Sequence, residues 1–204
     1  MSTLQCPTTL VLARHAEAEY EAPVWADEGG SLTTLGRRQA TTLADRLVDR
    51  RVAHVWTSTL ARAVQTGEIA AARLGVGVTT RIGLREFAIG ELAGAPLDTD
   101  PFEPTYAAWL AGDLDARIPG GEDGHAIVAR MRAVIAEIAD AHPGETVLVV
   151  SHGGTLRLAV PLLCRMAAAP AWLANTATIE VDADADGWVC RAWEQTLPVE
   201  PARP

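Results

Sequence analysis

The sequence has no lysine: all 17 basic residues among its 204 are arginine. One arginine taken alone is therefore a weak signal in this chain. The net charge is −9. That argues against nucleic acid or an anionic membrane surface as a partner, since both recruit a basic face. The three cysteines (Cys6, Cys164, Cys190) are odd in number and widely spaced. They give no zinc pattern and suit a reducing compartment. No apolar run approaches the ~20 residues that span a bilayer. The opening MSTLQCPTTLVLARH carries no basic residue ahead of its apolar stretch, so no secretory leader is expected. A cytoplasmic chain with no nucleic acid and no membrane partner is the expectation. Its 49% hydrophobic and 21% charged residues are ordinary for a globular protein.

What is present alternates between strands and helices. Thr8–Ala13 reads as a buried strand, and Ser31–Arg51 as a helix with Leu35, Leu43, Leu47 and Val48 on its apolar face, capped by Ser31 or Thr33. Ala53–Thr57 and Gly77–Thr80 read as strands, with a helix over Thr59–Leu74 between them, stopped by Gly75. In that helix Leu60, Val64 and Ala71 are expected to face the core. Glu122–His142 places Ile127, Met131, Val134 and Ile138 on one helical face. Thr146–Val150 (TVLVV) is a continuous apolar run of the kind buried on both faces of a sheet. A helix over Gly154–Met166 and strands at Thr176–Val181 and Trp188–Trp193 complete the pattern. The alternation predicts an α/β sandwich with a mostly parallel sheet. One domain is expected over 1–204, with a lid-like insertion at about 95–120, one helix at Tyr106–Ala111 inside it, and a loose tail from about 197.

In such sheets ligands bind beyond the carboxyl ends of the strands. Arg14-His15 lies at that end of the first strand, Ser58 and Arg62 follow the second, and Ser151-His152-Gly153-Gly154 follows TVLVV. Taken singly, each is ordinary: a histidine at a strand end is commonly a hydrogen-bonder, and Gly-Gly before a helix is commonly a turn. Together, two imidazoles, two arginines and a helix start describe a site for a tetrahedral oxyanion such as a phosphoryl group. A metal site is disfavoured. No pair among His15, His54, His125, His142 and His152 has i,i+4 spacing, and the arginines beside His15 and His152 repel a cation. No cofactor is implied.

A phosphoryl site with neither metal nor a Gly-rich nucleotide loop needs its own nucleophile. A neutral imidazole can attack phosphorus, and Arg14 and Arg62 are expected to keep His15 neutral and to balance charge in the transition state. The departing alkoxide needs a proton, for which Glu86 in GLREFAIGELAG is the candidate acid. Near a dianionic phosphate its pKa is expected to rise.

At this point the chain resembles the histidine phosphatase, phosphoglycerate mutase-like superfamily. ARHAEAEY resembles its RHG-type signature, TSTLARAVQTGEIA the S-x-L-x-R-A-x-x-T block, LREFAIGELAG the L-x-E-x-x-x-G-x-x-x-G block, and VSHGGTLR the second-histidine block. LTTLGRRQA and PGGED are similar to the connecting segments. The resemblance implies a three-layer fold with a mixed sheet of about six strands. It implies His15 as the phosphorylated nucleophile and Arg14, Arg62 and His152 as the phosphate pocket. Gly153 N–H and Ser58 join that pocket as further substrate contacts, and Glu86 is the implied proton donor. Two departures stand out. Glu21 occupies the place of an Asn that touches phosphate, where a carboxylate repels the substrate. Asp123 stands where Ser or Thr often follows GGE, and can still cap the long helix.

Phosphatase and mutase share the phosphohistidine. A mutase lid must grip a second anion, whereas this insertion sets Asp98, Asp100, Glu103, Asp113 and Asp115 against Arg117. An acidic lid disfavours bisphosphates and favours hydrolysis of a small phosphorylated substrate. Phe102, Tyr106 and Trp109 either meet an apolar leaving group or pack the lid. A phosphoglycerate mutase and a phospho-ligand-binding protein without turnover remain the alternatives, and a homodimer is kept open.

Overall fold

A computed structural model of the protein describes residues 6–167 and 173–194. The tail expected from about 197 lies outside the described residues. In chain order the elements are β1 (Thr8–Arg14), the two-residue strands β2 (Ala18–Glu19) and β3 (Ser31–Leu32), α1 (Thr34–Asp45), β4 (Val52–Ser58), α2 (Ala61–Leu74), β5 (Val78–Arg81), α3 (Glu103–Leu110), α4 (Gly124–Ala141), β6 (Thr146–Ser151), α5 (Gly153–Leu163), β7 (Thr178–Asp184) and β8 (Gly187–Trp193). Among the described residues the main sheet has six strands in the order β5-β4-β6-β1-β7-β8. The first four are parallel, β7 runs antiparallel to β1 and β8 antiparallel to β7, so the sheet is mixed and mostly parallel.

Side-chain alternation makes this a three-layer sandwich. On β1, Leu10 and Leu12 enter one apolar cluster while Val11 and Ala13 enter another. On β6, Val147 and Val149 go with the first pair, and Leu148 and Val150 with the second. Met131, Ile135 and Ile138 of α4 and Leu156, Ala159 and Val160 of α5 cover the first face. Leu43 and Ala44 of α1 and Ala63, Ala70 and Ala71 of α2 cover the second. A central strand covered on both faces must be apolar along its whole length, which is why TVLVV reads as it does. Each fully buried side chain there contributes about 1.5–3 kcal/mol.

The helix expected over Ser31–Arg51 is shorter than its pattern. Ser31 and Leu32 pair with Ala18 and Glu19 instead. Thr33 then caps α1, its hydroxyl accepting from Gly36 N at 2.9 Å. The helix stops at Asp45, and Val48–Arg50 is a separate tight turn. Leu35 and Val48 are 42% and 49% exposed, and the buried face is Gly36, Ala40, Leu43 and Ala44. The reason is close approach: a Cβ on Gly36 would stand 2.0 Å from Glu17 O. Small residues let α1 lie directly on the loop that follows β1. In α2, Leu60 and Ala71 are buried as expected while Val64 is only half-buried, and Gly75 ends the helix with φ +73.

Asp123 caps α4, accepting from Ala126 N at 2.8 Å. The insertion is packed: α3 begins earlier than expected, and Phe102, Trp109 and Ile118 join Ile89, Ile127 and Leu158 in a cluster of their own. The 20s loop ties to its base, with Trp25 N donating to Ala95 O and Gly94 N to Trp25 O.

Candidate active site

Register brings the polar residues together. Arg14 pairs with Ser151 across β1 and β6, and Thr57 pairs with Val150 across β4 and β6. Arg14-His15, Ser58 and Ser151-His152 therefore leave the sheet at one level. A cavity of about 460 Å³ opens there, with Arg14, His15, Arg62, Glu86, Gly153 and Gly154 on its wall. That volume lies in the range of small-molecule sites.

His15 is 8% exposed, and its backbone N–H donates to Ser151 O at 2.9 Å. Its Nδ1 lies 2.8 Å from Ala16 O. A carbonyl can only accept, so Nδ1 carries the proton. Arg62 Nε donates to Nε2 at 3.3 Å, so Nε2 presents its lone pair. Burial lowers the His15 pKa to about 3, with Arg62 and, more weakly, Arg14 pushing the same way. Charge repulsion from the arginines was the expected cause; loss of water is the larger one.

His152 is fully buried behind His15, the ring centroids 5.1 Å apart and the planes tilted by 57°. Burial first, then the charges of its neighbours, hold its pKa well below the ordinary value. Its Nε2 meets Ser58 Oγ at 2.8 Å, while its Nδ1 has no hydrogen-bond partner among the described residues. Ser58 is itself fully buried and does not line the cavity; its oxygen accepts from Leu60 N, leaving its O–H to donate to His152 Nε2. It was expected to touch substrate; its hydroxyl meets His152 instead, and His152, expected in the same pocket, is off the cavity wall as well. Arg14 lies along α5, so a Cβ on Gly153 would come within 3.3 Å of its Cδ and Nε. Its Nη1 donates to Leu173 O at 2.9 Å. Arg62 is 5% exposed and anchors through Nη1 to Gly29 O at 2.9 Å.

Glu86 docks on the N-terminus of α5. Oε2 accepts from Gly154 N at 3.0 Å, and Oε1 from Thr155 N at 2.7 Å, Thr155 Oγ1 at 2.9 Å and Phe87 N at 3.2 Å. The helix start thus faces the carboxyl group. A Cβ on Gly154 would lie 2.5 Å from Phe87 Cε1 and 2.8 Å from Glu86 Oε1, which is why glycine stands there. Arg130 braces the same loop from α4, donating to the carbonyls of Gly83, Arg85 and Glu86 and pairing with Glu122.

The outer wall adds residues the sequence reading did not single out. Tyr20 lies beneath the Arg62 guanidinium, and Arg157 of α5 lies over the Tyr106 ring. Asn175 lines the cavity and donates from Nδ2 to His15 O at 2.9 Å. Of the aromatic residues weighed for the leaving group, Phe102 and Tyr106 line the cavity, while Trp109 is buried in the lid cluster. Glu21 is exposed and off the wall. Among the described residues no group of three His, Cys, Asp or Glu side chains is placed to hold a metal ion. No helix among them is long and apolar enough to cross a membrane.

The sequence profile of the histidine phosphatase superfamily (branch 1) matches residues 10–196. A phosphoglycerate mutase-like protein 4 of Arabidopsis thaliana is 34% identical over 155 residues, covering 72% of this chain and 67% of that protein. A probable phosphoglycerate mutase of Salmonella typhi is 29% identical over 192 residues, covering 89% and 88%. Among solved structures, a mycobacterial glucosyl-3-phosphoglycerate phosphatase complexed with VO3 superposes with a TM-score of 0.76 at 26% identity, over 92% of this chain and 99% of that one.

Proposed function

The chain belongs to the histidine phosphatase superfamily, and on that premise we propose that it is a metal-independent phosphomonoesterase acting through a phosphohistidine on His15. The observation that carries this reading is the fixed tautomer of a neutral imidazole: Nδ1–H on Ala16 O, Nε2 lone pair beside Arg62. That lone pair attacks phosphorus as the bond from phosphorus to the alcohol oxygen breaks. Arg62 N–H passes from Nε2 to a phosphoryl oxygen, where Arg14 and His152 Nδ1–H also donate. The ring gains positive charge as the P–N bond forms, so its contact with Ala16 O strengthens toward the transition state. Glu86 gives the alkoxide its proton. Oε1 accepts from Thr155 N and Phe87 N and shares the Thr155 hydroxyl with Arg85 O, while Oε2 accepts from Gly154 N alone, so Oε2 is the proton carrier. Water then attacks phosphorus, its proton goes to Glu86, and Nε2 recovers its lone pair.

The leaving group sits under the lid, among Trp25, Phe87, Phe102 and Tyr106, with Asp27, Asp100 and Glu103 at the rim. These side chains favour a small metabolite with an apolar or aromatic body and oppose a second phosphate. The mutase reading draws on the named sequence relatives; the acidic rim weighs against it.

The test is phosphate release from p-nitrophenyl phosphate in chelator-treated buffer, for wild type and His15→Ala. Release lost in the variant supports the esterase. Absent release with vanadate still bound assigns a binding role, and isomerised phosphoglycerate with little free phosphate assigns a mutase.

A further inference from the structure

A closed cycle of hydrogen bonds ties the nucleophile to its arginine, and Thr66 completes it. Arg62 Nε donates to His15 Nε2 at 3.3 Å. His15 Nδ1–H donates to Ala16 O at 2.8 Å. Ala16 N–H donates to Thr66 Oγ1 at 3.1 Å. Thr66 O–H donates to Arg62 O at 2.7 Å, one helical turn back along α2. Every donor and acceptor in the ring is used once in the only sense its chemistry allows. Thr66 is fully buried, so no water replaces its hydroxyl.

Thr66 also shares a task with Asn175. The peptide joining His15 to Ala16 has its C=O held by Asn175 Nδ2 at 2.9 Å and its N–H held by Thr66 Oγ1. Two side chains from distant segments thus clamp both edges of one peptide plane. The Ala16 carbonyl that takes the Nδ1 proton sits one Cα further on, so its aim depends on that plane.

We infer that Thr66 is a positioning residue that fixes the tautomer and direction of the His15 ring, an assignment that rests on His15 being the nucleophile. Without the hydroxyl, the Ala16 N–H is left buried and unpaired, and the plane turns to seek a partner. The Nδ1–H contact weakens, and part of the population carries its proton on Nε2, where it blocks attack. The phosphate pocket of Arg14, Arg62 and His152 stays in place, so binding changes less than turnover.

Thr66→Val keeps the shape and removes the hydroxyl; Thr66→Ser restores the hydroxyl and removes the methyl. In Thr66→Val, kcat with p-nitrophenyl phosphate should fall about 10–100-fold, with KM within about threefold of wild type. Thr66→Ser should recover most of the loss. Nitrogen NMR of labelled protein should show His15 protonated at Nδ1 in wild type and Thr66→Ser, and a tautomer mixture in Thr66→Val. Unchanged kcat and tautomer in Thr66→Val overturn the inference, as does an equal loss in Val and Ser. Should Thr66→Val not fold, Thr66→Ala carries the same comparison. Turnover retained by His15→Ala would defeat the nucleophile reading instead, and the tautomer spectrum would still judge the cycle.

Discussion

At the residue scale, His15 and Glu86 divide the proposed chemistry by what surrounds each. His15 is stripped of water and left with one acceptor for its proton, so it stands neutral with a lone pair to give. Glu86 is held by backbone N–H groups at a helix start. If it supplies the proton, its removal must hurt most where the leaving group is most basic. Glu86→Gln should slow hydrolysis of an alkyl phosphate about 10²–10⁴-fold. It should lower kcat/KM for p-nitrophenyl phosphate far less, because nitrophenolate leaves without a proton. Equal losses in kcat/KM, which reports phosphorylation ahead of the shared hydrolysis step, would remove Glu86 from that role. Most of these residues were readable because each stands at the end of an apolar run or inside a spaced block. Arg157 and Asn175 were not, since an arginine in a lysine-free chain and an asparagine in a loop carry no pattern of their own. Ser58 was legible as a member of the cluster, but its burial against His152 is a tertiary fact that no sequence pattern carries.

At the element scale, the site depends on how α5 begins. Gly153 gives Arg14 room to lie along the helix, and Gly154 lets the Glu86 loop press onto it. Gly154→Ala would drive a methyl into Phe87 and the Glu86 carboxylate. The variant should lose about 1–3 kcal/mol of stability and most of its kcat, with vanadate affinity nearly kept because Arg14 and Arg62 are held elsewhere. Denaturant titration and vanadate inhibition measure the two effects, and wild-type kcat in the variant would contradict this docking. Periodicity located the helices that cover the sheet and the strands inside it. On α1 it placed Leu43 on the buried face but missed Gly36, because it weighted large side chains while packing on the Glu17 carbonyl selected glycine. The strands β2 and β3 have two residues each, too short for any alternation to register.

At the scale of the whole molecule, the buried imidazoles couple stability to pH. The unfolded chain binds a proton on His15 near pH 6.5, and the folded protein refuses it until about pH 3. His152 acts in the same direction. Their contribution is therefore undiminished above pH 6.5 and declines as pH falls from there toward 3. Urea midpoints should drop between pH 7 and pH 5, with His15 supplying a slope of up to about 1.4 kcal/mol per pH unit. His15→Asn should flatten that slope; an unchanged slope would mean that the ring titrates freely in the fold. The acidic net charge and the acidic lid rim belong to this scale too. Both are expected to repel polyanions, in keeping with the proposed monoester substrate.

The central claim is a covalent bond between phosphorus and one ring nitrogen, and rapid quench tests it most directly. Wild-type protein mixed with a phosphorus-32-labelled monoester, then denatured in base within milliseconds, should carry acid-labile, base-stable label on the peptide containing His15. The same protein turning over substrate with no label on that peptide would contradict the account.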